Sequence, residues 1–426
     1  MVFHLEQSKR KTAVAAGVIG NIMEWFDFAL YGYMASILAA LFFPGDNRIT
    51  SLLATYGVFA AGFIMRPLGS LLFGWIGDTV SRSSAMLISV AMMAIPTAAL
   101  GLLPTYETIG LLAPVLLVIV RLIQGLSVGG EFSSSVAYLV ETSPADKRGL
   151  SGSYANVGSI GGMLLGSGLA AFTTNFLTTA QVHAWGWRLP FLFGAVLGIV
   201  AIWLRRHLPK SSHFQKHTSE REKTSPLKEA FTDNLKETIQ AILVASSYGA
   251  LFYISLVFLP NWLNEYVHFP LGKAMSFNTL ATAILLVLVP IMGWVSDHFM
   301  RRTHMIAMSI GLFGVVSYPL LLWLSSGTLS AVIWVQLIFA VLISMLCGVA
   351  PAMFVELFPT KDRLSGYSVA YNLGLGVVGG STPMICTWLI SITGSKLALA
   401  GFIVGIAVIG LGSLAWMQDR SREPLR

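Results

Sequence analysis

Five ionisable side chains stand within long apolar stretches of this sequence: Glu24, Asp27, Arg66, Arg121 and Glu131. A charge in such surroundings is costly and calls for a partner or a function. Glu24 and Asp27 are three residues apart, so a helix puts them on one face. Gln124 and Glu131 are seven apart, on one face two turns from each other, with Arg121 a turn further out. A buried carboxylate without a partner tends to hold its proton, and an arginine beside it favours release. A conformational change that moves the arginine on and off the carboxylate therefore couples proton binding to motion. The arginine fork also matches a carboxylate bidentately, which makes Arg121 and Arg66 candidates for holding an anionic substrate. Tyr31, Gln124, Tyr248, Tyr253, Gln336, Tyr371 and Asn372 are polar groups that could complete a pocket. The plainer reading of the same residues is fixed ion pairs and hydrogen bonds that tie helices together.

These groups need elements to hold them, and the composition says which kind. Of 426 residues, 55% are hydrophobic and only 11% are charged, with a mean hydropathy of +0.73. Soluble domains carry about 25% charged residues. Helices of about 20 apolar residues cross a bilayer, and twelve candidates are present, over 14–41, 51–75, 84–103, 109–140, 150–175, 187–206, 239–262, 274–296, 303–325, 329–354, 365–392 and 396–417. The chain thus reads as an all-α membrane protein: an N-terminal six-helix half (1–206), a polar linker (207–238) and a C-terminal six-helix half (239–426). A short amphipathic helix is expected near Leu227–Leu235. The first apolar block contains Glu24 and Asp27 and lacks a small-residue cleavage site, unlike a signal peptide.

With the N-terminus inside, the inner loops collect 21 of the 27 basic residues. The positive-inside rule then places both termini in the cytoplasm. All five deep charges lie in the first half.

Two loop motifs recur. Gly74-Trp-Ile-Gly-Asp78-Thr-Val-Ser-Arg82 matches Gly293-Trp-Val-Ser-Asp297-His-Phe-Met-Arg301, 219 residues on. Glu141-Thr-Ser-Pro-Ala-Asp-Lys-Arg148 matches Glu356-Leu-Phe-Pro-Thr-Lys-Asp-Arg363, 215 residues on. Two pairs at nearly one offset indicate a duplicated six-helix unit, the layout of alternating-access carriers. The charges Asp78, Arg82, Glu141, Arg148, Asp297, Arg301, Glu356 and Arg363 are expected to latch the halves in one state. Gly125-x-x-x-Gly129 and Gly158-x-x-x-Gly162-x-x-x-Gly166 serve close helix packing.

The loop motifs resemble the signature of the major facilitator superfamily. The match to its metabolite–proton symporter branch is closer and covers nearly the whole chain. It rests on Gly20-Asn-Ile-Met-Glu24-Trp-Phe-Asp27-Phe, Phe63-Ile-Met-Arg66-Pro-Leu-Gly69, Arg121-Leu-Ile-Gln124-Gly-Leu-Ser-Val-Gly-Gly-Glu131, Trp185-Gly-Trp-Arg-Leu-Pro-Phe191 and Glu356-Leu-Phe-Pro-Thr360. The resemblance implies proton symport at a bacterial inner membrane, by a monomer. Characterised relatives take α-ketoglutarate, citrate, shikimate, or proline and betaine. Sugar–proton carriers of the superfamily set an Asp in span one against an Arg in span four. Those positions here are Asp27 and Arg121, the expected proton switch, with Glu24 and Glu131 as further coupling candidates.

There are departures. Thr79, Ser81 and Ser83 stand where the branch carries basic residues and a glycine. Antiporter branches of the superfamily typically carry a Gly-Pro motif in span five; no proline lies between Pro144 and Pro190 here, so the resemblance favours symport over drug–proton exchange. Only about nine residues follow span twelve, so osmosensing through a C-terminal coiled coil is not expected. Arg121 favours import of a small organic acid, such as a di- or tricarboxylate. The Glu24–Asp27 stretch and the loop ending at Gly149 resemble the osmolyte carriers of the branch, which implies a zwitterion such as proline or betaine, and export of a metabolite stays open. A membrane enzyme would need a nucleophile or metal cluster, and a channel would need filter loops or charged rings. His213 and His217 lack a third ligand, and no GxxxxGK[ST] is present. No metal, cofactor or nucleic acid is expected; the partners are substrate, protons and lipid.

Overall fold

The computed structural model describes residues 19–79, 82–128, 131–206, 234–360 and 362–425, with the side chains at 74, 77–79, 82–86, 131 and 204–206 also left aside. The N-terminal basic cluster, most of the 207–238 linker with its expected helix and His213 and His217, and the side chains of Asp78, Arg82 and Glu131 lie outside the described residues.

Among the described residues, twelve long helical elements follow in order, besides the short turn Tyr106–Ile109. They are α1 (Ile19–Tyr33 with Ala35–Phe42), α2 (Arg48–Ile64 with Arg66–Thr79), α3 (Arg82–Leu102), α4 (Leu112–Ser127 with Glu131–Glu141), α5 (Ala145–Phe176) and α6 (Thr179–Gly186 with Arg188–Arg206). The second set is α7 (Leu235–Val267), α8 (Leu271–His298), α9 (Arg302–Leu324), α10 (Leu329–Leu357), α11 (Arg363–Thr393) and α12 (Ala398–Ala415). Large apolar side chains such as Ile119, Val196, Val287 and Val315 are exposed, as on a surface solvated by lipid. The most apolar window of α7 is 89% buried against 33% for α8, so α7 is central and α8 peripheral.

Among the described residues, nine of these helices are long and apolar enough to cross a membrane, or eleven if each bent pair is one span, and several are not straight. The halves of α1 bend by 64° about Met34. In α2 the break falls at Met65. Pro67 explains it: its ring opposes the carbonyl four residues back and it offers no N–H. Within α7, Ile254–Phe258 forms a π-helical turn, and Tyr371–Gly379 does so in α11. Non-helical backbone at membrane depth persists only where protein or a water-filled site surrounds it.

The halves meet along α5 with α8 and along α2 with α11. At the end carrying the repeated loops, the pairing is crosswise. Glu141 of the first half accepts from Arg363 of the second (2.7 Å). Arg148 of the first half faces Glu356 of the second (3.6 Å). A duplicated unit related by a two-fold axis does this, because residue i meeting j implies j meeting i. Asp297 accepts from the backbone N–H of Gly149 (2.7 Å) and Leu150 (2.9 Å) at the start of α5.

One latch residue needs correction. Arg301 is exposed, and its neighbour Arg302 makes the network instead, bidentate to Glu356 (2.7 and 2.8 Å) and reaching Asp297 (3.1 Å). Arg301 caps α9 in an extended conformation and points away; Arg302 is the first helical residue and turns inward. Beyond α12, Asp419 accepts from the N–H (2.9 Å) and hydroxyl (2.6 Å) of Thr303. Burial pushes its carboxyl up, yet hydrogen bonds from Ser421 and Thr303 outweigh burial and leave it below the usual aspartate value.

The opposite end is also closed. Asn261 of α7 accepts from the Ser36 hydroxyl (2.9 Å) and donates to the Gly32 carbonyl (2.8 Å), clamping the bend of α1. Arg48 pairs with Glu265 (3.0 Å), and Asn175 donates to the Gly272 carbonyl (3.0 Å). Asn261→Leu strands the buried Ser36 hydroxyl and Gly32 carbonyl of the first half, a loss of about 1–3 kcal/mol for each. The expected result is a shift toward opening at this end. In a background lacking Cys347 and Cys386, Tyr56→Cys, buried against Phe258 across the same seam, should gain labelling by a membrane-impermeant maleimide. Unchanged labelling would remove Asn261 from the gate.

Candidate functional site

Asp27, Arg121 and Gln124 come together in the core, joined by a residue the sequence did not single out, Thr97. Arg121 Nη1 donates to Asp27 Oδ2 (3.1 Å) and to Gln124 Oε1 (2.9 Å). Gln124 Nε2 donates to Asp27 Oδ1 (2.7 Å), as does the Thr97 hydroxyl (2.7 Å). All four side chains are at most 1% exposed. They come from α1, α3 and α4, so the ring belongs wholly to the first half. Position in the helix explains it: Gln124 lies one turn beyond Arg121, and both face α1. Gly125 makes the approach possible, because a Cβ there would run into the Gly62 carbonyl of α2. Arg121 Nε and Nη2 have no hydrogen-bond partner. The guanidinium instead lies over the rings of Tyr31 (4.5 Å) and Phe28 (4.8 Å).

Glu24 lies one turn earlier on α1 and takes a different partner. Its carboxylate is paired with Arg66 of α2, with both side chains buried. The Arg66 guanidinium is within 5.5 Å of the Phe28 and Phe63 ring centres and 5.8 Å of Tyr371. Tyr371 stacks on Phe132 (4.5 Å), and Tyr253 packs edge-on to Phe63 (5.3 Å) and along Trp25 (6.4 Å). The hydroxyls of Tyr253 and Tyr371 and the indole N–H of Trp25 have no hydrogen-bond partner. This second cluster, unlike the first, spans both halves.

The other candidate contacts divide. Tyr31 donates to the Thr55 carbonyl (3.1 Å) and so has a structural bond besides its place under Arg121. Tyr248 donates to Cys347 Sγ (3.3 Å), and Asn372 donates to the Ser368 carbonyl one turn back (2.9 Å). Both are engaged in helix packing. Gln336 is buried with neither end of its amide bonded. Trp25, Phe63 and Thr97 were not among the sequence candidates. For Thr97 a signal existed, a hydroxyl next to the intrahelical Pro96. For the aromatics there was none, since rings in apolar spans are ordinary.

Residues 12–262 match the family described as Sugar (and other) transporter, and residues 241–426 match the Major Facilitator Superfamily. The proline/betaine transporter of Escherichia coli (strain K12) is 32% identical over 432 residues, covering 99% of this chain and 86% of the relative. The chain belongs to the major facilitator superfamily, in its metabolite–proton symporter branch. Other relatives of this facilitator include the glycine betaine/proline/ectoine/pipecolic acid transporter OusA of Dickeya dadantii, 31% identical over 99% of this chain and 86% of the relative. The α-ketoglutarate permease of Escherichia coli is 34% identical over 94% of this chain and 92% of that protein. Among solved structures, a D-xylose–proton symporter aligns with a TM-score of 0.74 at 16% identity, over 97% of this chain and 99% of that one. The xylose transporter XylE from E. coli, in a partially occluded inward-open conformation, aligns with a TM-score of 0.75 at 16% identity, over 98% of this chain and all of that one. At that identity the likeness concerns the fold. The facilitator is a multi-pass membrane transporter and not an enzyme.

Proposed function

We propose that this facilitator imports a small zwitterion of the proline or betaine class together with a proton, with Asp27 and Arg121 as the proton switch. The observation that carries this is the charge balance of the core. Among the described residues, the buried charges away from the loop-motif end are Glu24, Asp27, Arg66 and Arg121, two of each sign and already paired. A di- or tricarboxylate would add two or three negative charges to a low-dielectric region with no spare cation, at a cost of several kcal/mol or more. A zwitterion adds none. The organic acid that Arg121 alone suggested loses its main support, because that guanidinium is held by Asp27 and Gln124. Relatives named for proline and betaine that align over 99% of the chain point the same way.

The proton step follows from the ring. While Arg121 holds Asp27, the carboxylate is compensated as an anion. When Arg121 swings away, an unpaired carboxylate in apolar surroundings is neutralised by taking a proton. Thr97 and Gln124 keep it oriented in either state. The loop-motif end is assigned to the cytoplasm on its basic residues. The working unit is a monomer, divided at 1–206, 207–238 and 239–426.

The test is electrical. One proton moving with a zwitterion carries one positive charge inward. In proteoliposomes with an imposed inside-negative potential, glycine betaine or proline uptake should rise, by up to about 50-fold in accumulation for each 100 mV. Uptake of α-ketoglutarate in place of both compounds would overturn the assignment.

A further inference from the structure

We propose that the substrate binds by separating the Glu24–Arg66 ion pair. Its carboxylate takes Arg66, and its ammonium takes Glu24 together with the aromatic box that the Arg66 guanidinium now fills. This rests on the zwitterion assignment and adds where the molecule sits and why it must carry both charges.

Location separates the two buried pairs. The hydrogen-bond partners of Asp27 and Arg121, and the rings beneath Arg121, belong to the first half, so that ring can gain or lose a proton within one half. Arg66 and Glu24 instead stand at the seam. Tyr371 of α11 lies over the guanidinium, and a Cβ added at Gly376 would come within 3.7 Å of Arg66 Cδ. Tyr253 of α7 touches Trp25 and Phe63 beside them. A cargo passed between two rocking halves has to touch both, and the Asp27 ring offers no such contact.

The surroundings suit the two ends of a zwitterion. Phe28, Phe63 and Tyr371 already enclose a delocalised cation, the guanidinium itself. A quaternary or secondary ammonium is attracted to ring faces by the same electrostatics. For the carboxylate, the Trp25 indole N–H, the Tyr253 and Tyr371 hydroxyls and Arg66 Nε are buried without hydrogen-bond partners. A carboxylate accepts up to about four hydrogen bonds. The backbone agrees. Arg66 follows the break in α2, Tyr253 immediately precedes the π-turn of α7, and Tyr371 opens that of α11. Such irregular turns concentrate at functional sites.

The pair also explains how the empty carrier can close. Without substrate, Glu24 and Arg66 compensate each other and allow the halves to meet, as they do here at both ends. A simple anion would strand Glu24 and a simple cation would strand Arg66, leaving one buried charge unpaired. A zwitterion replaces both partners at once.

The test uses the purified full chain in proteoliposomes, with glycine betaine and proline as probes, measuring KM for uptake and substrate exchange at equal pH. Glu24→Gln and Arg66→Gln should each raise KM at least about ten-fold and suppress exchange as well as accumulation. Tyr371→Leu should raise KM for glycine betaine by about three- to thirty-fold, and less for proline, whose ammonium can still donate hydrogen bonds. The double variant Glu24→Gln with Arg66→Gln leaves no lone buried charge, and it decides the matter if a single variant does not fold. A folded double variant with wild-type KM for both probes overturns the proposal. So does loss of accumulation with exchange intact at wild-type KM, which would make the pair a proton site. Wild-type uptake of neither probe overturns the zwitterion assignment itself, and this inference with it.

Discussion

Asp27→Asn is expected to abolish proton-driven accumulation while leaving exchange of preloaded substrate. The amide keeps the size of the carboxylate and can still meet Thr97 and Gln124, but it neither takes up nor releases a proton. With one charge moved per cycle, 100 mV is worth about 2.3 kcal/mol, or about 50-fold accumulation. In the variant the ratio should fall to about 1. Wild-type uptake should decline as the external pH rises, because fewer protons are available to neutralise Asp27, whereas residual exchange in the variant should be flat with pH. The substitution also leaves Arg121 buried without its counterion, a loss of about 3–5 kcal/mol for a broken buried pair. Asp27→Asn combined with Arg121→Gln removes that stranded charge and separates lost stability from lost coupling. Full pH-dependent accumulation by either variant would sink the proton-switch assignment.

Gly149→Val should stop transport by preventing closure at the loop-motif end. At this point α5 and α8 meet backbone to backbone across the seam. A Cβ on Gly149 would stand 2.5 Å from the Gly293 carbonyl oxygen and 2.8 Å from Asp297 Oδ1, and against the Ser296 hydroxyl. Real Cβ atoms do not come so close, and backbone cannot step aside as a flexible side chain can. Closed contacts would be lost together, including the two N–H bonds to Asp297. Overpacking costs about 1–3 kcal/mol even where neighbours can shift. Uptake should fall at least about ten-fold, since about 1.4 kcal/mol already changes a population ten-fold. Asn156 of α5 is buried and donates to the Cys347 carbonyl of α10 (2.7 Å); Asn156→Cys, in a background lacking Cys347 and Cys386, should become open to a maleimide supplied from the loop-motif side. Gly161→Val, on the same helix with its nearest neighbour 3.8 Å away, is the control and should transport normally. Wild-type uptake by Gly149→Val would show that this contact does not form during the cycle.

Much of the protein was legible one residue at a time. Twelve apolar stretches, the repeated loops and the five deep charges lie within short windows, and bilayer thickness and the cost of buried charge act on such windows directly. The Asp27–Arg121 partnership was implied by the family likeness, whereas the similar depth of Glu24 and Arg66 only allowed them to meet. The crosswise pairing of Glu141 with Arg363 and Arg148 with Glu356 was implicit in the duplication, although only the fold shows which copy meets which.

Tertiary structure alone decided the remainder. Thr97 joins Asp27 because α3 packs beside α1, a pairing that the hydroxyl beside Pro96 does not by itself announce. Arg302 replaces Arg301 because a one-residue difference in helical phase turns a side chain from outside to inside. Phe28, Phe63 and Tyr371 become a box, with Trp25 and Tyr253 beside it, only when α1, α2, α7 and α11 converge, since an aromatic ring in an apolar span fits a core, a lipid face and a binding site equally well. Sequence thus determined that charges had to be paired inside a two-half transporter, because an isolated charge in a membrane is prohibitive wherever it stands. Which pair stays within one half and which straddles the seam depends on how distant helices meet, and only the folded chain contains that information.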